Sequence, residues 1–193
     1  KSLGCNIIKV FGRPASPYLI DICNKNGLLI MEELPVYNVP SGILETENFL
    51  QLAENQVEEM ISSHRNNPCI FAYGLGNDFD VTGEAGQNYV RSMVEISRNL
   101  DNKFLYYSSR VYYEDKCRNL VDFAGLNIYD GDLNILKNIA QDVKIKKEKV
   151  FIANYGKIIS PGNTSGYSDP NSVEAQSKYI LDFQKLQKTS TFI

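Results

Sequence analysis

The sequence has no tryptophan and only one histidine, and both shortages limit what it can do. Without tryptophan, the aromatic surface available for stacking comes from twelve tyrosines and nine phenylalanines. The single histidine, His64, stands in a charged segment at a predicted helix end. A lone histidine there argues against a multi-histidine metal centre or a Ser-His triad, and we expect His64 at the surface.

Cysteines are few, and their spacing carries no signature of a metal site. Cys5, Cys23, Cys69 and Cys117 form no C-x-x-C pair. Cys5 and Cys69 lie beside apolar strand runs and Cys23 lies in a helical stretch, so we expect the four to be small buried thiols. The sequence therefore predicts no metal site and no cofactor.

The chain also lacks excess positive charge and long apolar runs. Its formal net charge is −3 and its pI is about 5.3. Nucleic-acid binding requires a basic surface, so the composition argues against a nucleic-acid partner. No apolar stretch reaches the roughly 18 residues that a membrane-spanning helix needs.

What is present is an alternation of short apolar runs and amphipathic stretches. The 193 residues, 43% of them hydrophobic, are enough for one sizeable core and one globular domain. Apolar residues spaced by three and four predict the helices. The predicted strands are 6–10, 28–31, 70–73, 104–107, 121–126 and 150–152, and the predicted helices are 17–25, 47–64, 86–100, 133–143 and one that follows the cap Ser172.

This alternation predicts an α/β fold with a parallel sheet covered by helices. Polar and aromatic residues follow the strands, as in a (β/α) barrel, whose active site lies at the carboxyl ends of its strands. A doubly wound open sheet is the alternative. No predicted strand is followed by G-x-G-x-x-G, because Gly74-Leu75-Gly76 lacks the third glycine, so a nucleotide site is not expected.

Five segments, in order along the chain, resemble the catalytic barrel of glycoside hydrolase family 2, which includes β-galactosidases, β-glucuronidases and β-mannosidases. They are LGCNIIKV at 3–10, NGLLIMEELP at 26–35, HRNNPCIF at 64–71 leading to Gly76-Asn77-Asp78, DFAGLNIY at 122–129 and IANYG at 152–156. The resemblance implies a (β/α)8 TIM barrel, represented by an incomplete barrel from about strand 2 to strand 7. Residues 191–193 resemble the start of an eighth strand, and we expect residues 1–193 to be a fragment of a larger multidomain protein.

The resemblance also implies where the chemistry lies, and there the sequence departs from the family. Family members retain anomeric configuration with two glutamates about 5–5.5 Å apart. At the acid/base position, which follows Asn77, this chain has Asp78 instead of glutamate. At the nucleophile position, before Tyr155-Gly156, it has Asn154. The first change shortens a carboxylate and the second removes one.

Further positions of the family site are partly changed. Lys9 stands where the family has arginine, and Gly12 stands where it has histidine. Lysine cannot reproduce the planar fork of arginine. Glu33 matches a family glutamate, for which we expect a supporting role, although Glu33 and Asp80 are also candidate replacements for the missing nucleophile. The resemblance implies substrate contacts for Asn77, Tyr129, Asn127, Lys9, Glu33 and Tyr155.

Structural interpretations of the same residues stay open. Asn77 could only cap a loop, Asp78 could be a solvated acid or a helix cap, and Asn154 could be a relic without function. The tyrosines at the strand ends, Tyr73, Tyr107, Tyr129 and Tyr155, could simply fill the mouth of the barrel.

Taken together, the sequence predicts a barrel domain that acts on or binds carbohydrate, a β-linked glycoside, with impaired or absent catalysis. One alternative is an active retaining β-glycosidase that uses Asp78 as acid/base with a relocated nucleophile. A second is a structural module without a ligand. Family analogy implies β-sandwich domains in the same polypeptide and favours a periplasmic or extracellular location.

Overall fold

The computed structural model describes residues 1–2, 4–129 and 133–189. Strands and helices alternate along this part of the chain. The strands are β1 (Ile7–Lys9), β2 (Leu29–Glu33), β3 (Ile70–Asn77), β4 (Phe104–Ser109), β5 (Phe123–Tyr129) and β6 (Val150–Gly156). The helices are α1 (Pro17–Asn26), α2 (Ser41–Leu44), α3 (Glu47–His64), α4 (Glu84–Leu100), α5 (Leu133–Lys146) and α6 (Val173–Thr189), with a 3₁₀ turn at Arg118–Leu120.

Local chemistry explains where several helices begin and end. Ser16 caps α1 by accepting a hydrogen bond from the Leu19 N–H at 3.3 Å, and Pro17 occupies the first turn. Gly27 ends α1 in the left-handed conformation, with φ of 60°. Ser172 caps α6 by accepting from the Ala175 N–H at 3.0 Å. These caps confirm the predicted starts of α1 and α6.

The chain divides into two compact units. The first comprises residues 1–109 and 113–124, and the second comprises 110–112 together with the described residues from 125 onward. In the first unit, β1, β2, β3 and β4 pair in parallel and in chain order. Such an order is typical of a (β/α) barrel, whereas a doubly wound sheet reverses its order at a switch point.

Each unit has its own core. In the first, α3 and α4 contribute buried apolar side chains such as Val57, Ile61 and Met93, and β3 contributes Leu75. In the second, β5, β6, α5 and α6 share a cluster that is formed by Tyr112, Leu126, Ile128, Leu136, Ile139, Val143, Val150, Phe183 and Leu186. The helices bury one face each, as their apolar spacing predicts.

The predicted elements are present, with shifted bounds. The α3 bounds agree with the prediction, while β3 extends four residues beyond it, so that Asn77 is the last residue of the strand. The short helix α2 was not predicted. Cys23, Cys69 and Cys117 are buried as expected, but the prediction for Cys5 is wrong, because that thiol is exposed just before β1. The predicted eighth-strand start at 191–193 lies outside the described residues.

Candidate active site

A buried carboxylate, Glu33, is the centre of the polar residues at the strand ends of the first unit. Its side chain has no exposed surface. Lys9 Nζ lies 3.0 Å from Oε1 and 3.3 Å from Oε2, and the Gly12 N–H donates to Oε2 at 3.0 Å. Asn77 Nδ2 donates to Oε1 at 3.4 Å. Three of the predicted site residues, Lys9, Glu33 and Asn77, are therefore in contact.

Strand register brings these side chains together. Lys9 is paired with Met31 in β1 and β2, and Glu33 is paired with Gly74 in β2 and β3. Gly74 leaves room for the carboxylate, since a Cβ there would lie 2.7 Å from both Glu33 Cγ and Tyr106 Cζ. Because real Cβ atoms do not approach so closely, glycine is required beside Glu33.

The electrostatics of Glu33 are set by burial and by its donors. Burial raises the pKa of its carboxyl, and the Lys9 ammonium opposes that rise. Lys9, the Gly12 N–H and Asn77 all donate to it, so the carboxylate form is the one that satisfies its neighbours. A carboxylate held in this way can orient its partners, but it presents no free lone pair at a solvent-facing surface for nucleophilic attack.

The preceding residue, Glu32, is equally buried but belongs to a different network. Its Oε2 accepts from the Ala15 N–H at 2.8 Å, and His64 Nδ1 lies 2.8 Å from Oε2 and 3.0 Å from Oε1. Burial raises the pKa of Glu32, while the Ala15 N–H and His64 lower it. Consecutive strand residues point to opposite faces, which explains why neighbouring glutamates have separate partners.

The surface position predicted for His64 is therefore wrong. Its side chain is 12% exposed and pairs with Glu32 across 32 residues of sequence. A buried carboxylate needs a donor, and the end of α3 supplies one. The signal for this pair was the Glu32-Glu33 doublet at a strand end, since alternation predicts that one of the two faces the helices.

The predicted acid/base residue, Asp78, follows directly after β3. Its side chain is half-buried, its φ is 52°, and its N–H donates to the Ser108 carbonyl at 2.8 Å. Aspartate tolerates this left-handed conformation better than most residues do. The chain therefore turns sharply at Asp78, immediately after the strand that carries the buried Asn77.

Asp80, a candidate replacement for the nucleophile, belongs to the turn before α4. Its Oδ1 accepts from the Thr82 N–H at 2.9 Å and from the Thr82 hydroxyl at 2.7 Å. These hydrogen bonds hold the pKa of Asp80 below its usual range. The arrangement is that of an acidic side chain that closes a turn.

In the second unit, the predicted nucleophile position is part of a neutral pair. Asn154 in β6 donates through Nδ2 to Asn127 Oδ1 in β5 at 2.6 Å. Asn127 is buried and Asn154 is half-buried. Two predicted site residues thus contact each other through uncharged amides.

The two predicted substrate-binding tyrosines of this unit are about half exposed and make ring contacts. The Tyr155 ring stacks on Phe183 at 4.1 Å with an interplanar angle of 13°. The Arg110 guanidinium lies 5.4 Å from the centroid of Tyr129. Their sugar contacts stay predictions, as do those of Asn127, Asn77 and Lys9.

The described residues contain neither a metal-binding cluster nor a membrane-spanning helix. Within 1–2, 4–129 and 133–189, no three His, Cys, Asp or Glu side chains are grouped so that they could hold a metal ion. Among the helices in these ranges, none is both long and apolar enough to cross a membrane.

The sequence matches a family model described as "Glycosyl hydrolases family 2, TIM barrel domain" over residues 1–191. Among curated proteins, a β-galactosidase of Thermoanaerobacter pseudethanolicus is 30% identical over 99 residues, which are 51% of this chain and 12% of that protein. A β-glucuronidase of Bacteroides fragilis is 25% identical over 105 residues, which are 52% of this chain and 15% of that protein. The matched part of the chain is thus a small fraction of these relatives.

Solved structures share the fold. A β-glucuronidase of Bifidobacterium dentium, solved with coumarin-3-O-glucuronide, superposes with a TM-score of 0.87 and 21% identity, over 97% of this chain and 33% of that one. A family 2 β-galacturonidase of Eisenbergiella tayi, solved with galacturonate, gives a TM-score of 0.85 and 22% identity over 92% and 34%. At these identities the likeness establishes the fold, and it confirms the predicted incomplete TIM barrel.

Proposed function

This chain belongs to the TIM-barrel domain family of glycosyl hydrolases family 2, and we propose that it binds a β-linked glycoside while its retaining catalysis is impaired. The residues assigned to sugar binding are Lys9, Glu33 and Asn77 in the first unit and Asn127, Tyr129 and Tyr155 in the second, while Asn154 occupies the nucleophile position. Further domains of the whole protein, including β-sandwich domains, are part of the same proposal.

The observation that carries the proposal is the amide at position 154. A retaining glycosidase forms a covalent glycosyl-enzyme through a carboxylate nucleophile. Asn154 has no negative charge, and its Nδ2 donates to Asn127 Oδ1 at 2.6 Å. A neutral amide neither attacks an anomeric carbon efficiently nor stabilises a developing oxocarbenium ion.

The acid/base position supports the same conclusion to a smaller degree. Asp78 is one methylene shorter than glutamate, so its carboxyl is withdrawn by about 1 Å, a misplacement that costs on the order of 100-fold in rate. Such an acid would still protonate a leaving group, slowly. The loss at position 154 is therefore the larger of the two changes.

Glu33 is a poor replacement nucleophile because its oxygens are already occupied. Lys9, the Gly12 N–H and Asn77 converge on a side chain with no exposed surface. We assign it the role of a positioning residue, which holds Lys9 and Asn77 in place for a bound sugar.

The test is restoration of the missing carboxylates in the full chain that carries this domain. The unmodified protein should release no nitrophenol above background from p-nitrophenyl β-galactoside, β-glucuronide or β-mannoside. The triple variant Asp78→Glu, Asn154→Glu, Lys9→Arg should gain turnover on one of them. In that variant the Asn127 amide must rotate, so that its Nδ2 faces the new carboxylate.

A matched control variant distinguishes the effect of the restored carboxylate at position 154 from the effect of a longer side chain. The variant Asp78→Glu, Asn154→Gln, Lys9→Arg has the same side-chain lengths without the nucleophile, and it should stay inactive. Turnover by the unmodified protein that is lost in Asp78→Ala would contradict the proposal and favour an active glycosidase with a relocated nucleophile. The absence of binding to every glycoside, measured by calorimetry, would instead favour a structural module.

A further inference from the structure

Two exposed aromatic side chains in the first unit, Phe11 and Tyr37, are in contact with each other. Each is 47% exposed, their ring centroids are 5.4 Å apart, and their planes meet at 71°. They follow β1 and β2 respectively, at the carboxyl ends of those strands. Two rings at this angle form a corner whose two sides are apolar ring faces, rather than a flat apolar patch.

Hydrogen bonds hold the backbone on which both rings stand. On either side of Phe11, the Val10 N–H donates to the Met31 carbonyl at 2.8 Å and the Gly12 N–H donates to Glu33 at 3.0 Å. The corner is therefore anchored on the Glu33 side by the loop that also supplies a donor to the buried carboxylate.

Tyr37 is anchored in the same manner to the end of β3. It forms a parallel bridge with Asn77. The Asn77 N–H donates to the Val36 carbonyl at 2.8 Å, and the Asn38 N–H donates to the Asn77 carbonyl at 3.0 Å. Because this backbone is ordered before a ligand binds, binding does not pay the entropy of ordering the loop.

The charge next to the corner is already neutralised. Lys9 Nζ lies 5.1 Å from the centroid of Phe11 and 3.0 Å from Glu33 Oε1. The ammonium is thus shared between an aromatic face and a carboxylate, so it adds little attraction for an anionic ligand. The aromatic faces themselves are the main binding feature of the corner.

From these contacts we infer that Phe11 and Tyr37 form a stacking subsite for the apolar face of a pyranose ring, a role that rests on the proposed glycoside-binding function. The C–H groups of a pyranose present such a face, and aromatic rings bind it without needing a charge. Because Tyr37 is bridged to Asn77, next to Asp78, the subsite adjoins the acid/base position. The neutralised Lys9 favours a neutral pyranoside over a uronate.

The probes for this inference are methyl β-D-galactopyranoside, methyl β-D-mannopyranoside and methyl β-D-glucuronide, whose methyl aglycone cannot stack. Binding to the full chain is measured by NMR titration and by saturation transfer from protein aromatic protons to the sugar. Replacing Phe11 or Tyr37 by leucine retains apolar volume and removes the ring. Each change should weaken binding of the neutral sugars about tenfold, the size expected for losing one aromatic contact.

Two control variants isolate the ring face as the group that makes the contact. Tyr37→Phe should bind within about twofold of the unmodified protein, because the ring face and not the hydroxyl touches the sugar. Tyr18, an exposed tyrosine of α1 at 75%, serves as the matched site, and Tyr18→Leu should leave affinity unchanged. Urea midpoints of all variants identify any loss of affinity that comes from unfolding.

The outcomes distinguish this inference from the function on which it rests. If the unmodified protein binds none of the three sugars, both are overturned. If it binds a sugar and the Phe11→Leu and Tyr37→Leu variants bind equally well, the stacking subsite alone is overturned. Tighter binding of the glucuronide than of the neutral sugars would contradict the assignment to a neutral pyranoside.

Discussion

The hydrogen-bonded networks near the strand ends are built on charged groups in the first unit and on neutral amides in the second. In the first unit, two adjacent glutamates are fully buried, and each has a basic partner, Lys9 for Glu33 and His64 for Glu32. In the second unit, the strand ends carry two amides, Asn127 and Asn154, joined at 2.6 Å. Buried charge must be matched by a partner, whereas a neutral pair needs only one good hydrogen bond.

This difference determines how many groups depend on the side chain at each position. Glu33 holds Lys9, the Gly12 loop and Asn77, so its loss would leave several groups without an acceptor. At position 154 the neutral amide donates one hydrogen bond, to Asn127 Oδ1, and carries no charge that needs a partner. Glu33 therefore has several structural partners, and substitutions in the two networks test how far they differ.

The largest expected effect comes from Glu33→Gln. The variant should lose about 3–5 kcal/mol of unfolding free energy, the usual cost of removing one partner from a buried ion pair. Urea unfolding at neutral pH measures it.

The exposed pair Asp21–Lys25 is the control, with Nζ and Oδ2 2.6 Å apart. Asp21→Asn should cost less than about 1 kcal/mol. Equal losses in the two variants would break the contrast between buried and exposed charge.

A smaller effect is expected in the pH dependence of stability. Burial raises the pKa of Glu32, so between its ordinary value and its native value the folded protein binds more protons than the unfolded chain. Unfolding free energy should therefore fall as pH rises through that window, by up to about 1.4 kcal/mol per pH unit for one group. Urea midpoints over a pH series measure this slope.

Glu32→Gln removes one titrating carboxyl group. The slope of unfolding free energy against pH should therefore decrease by the contribution of one proton. His64 and Lys103, which both act on Glu32, are unchanged in this variant, and the raised pKa of Glu33 preserves a slope of the same sign. If the slope of Glu32→Gln equals that of the unmodified protein, Glu32 is not the titrating group.

The smallest effect is expected for the neutral pair. A double-mutant cycle of Asn127→Ala and Asn154→Ala should give a coupling of about 0.5–1.5 kcal/mol, the value of one ordinary hydrogen bond. A coupling of about 3 kcal/mol or more, the size of the loss expected for Glu33→Gln, would mean that the second unit is not the weaker of the two networks.

Local patterns explain what could be predicted. The α3 bounds follow from apolar residues at spacings of three and four, and the Ser16 and Gly27 caps follow from their own chemistry. The end of β3 could not be placed, because Gly74 and Gly76 carry no apolar pattern, and α2 is too short to show a period.

The contacts of the site depend on residues far apart in sequence. Glu33 contacts Asn77 across 44 positions, and Glu32 contacts His64 across 32. The resemblance indicated Lys9, Glu33 and Asn77 as site residues, and the Glu32-Glu33 doublet indicated a buried carboxylate on the helix side without naming His64 as its partner. The contact between Phe11 and Tyr37 had no signal in the sequence.

By itself, the sequence determined the alternation of strands and helices, the family, and the residue types at positions 78 and 154, because period, caps and motifs are local properties. Tertiary structure decided which glutamate pairs with Lys9 and which with His64, and that Asn154 bonds Asn127. Partners of buried polar groups are chosen by strand register and by which face a side chain takes, and neither is visible until the sheet is assembled.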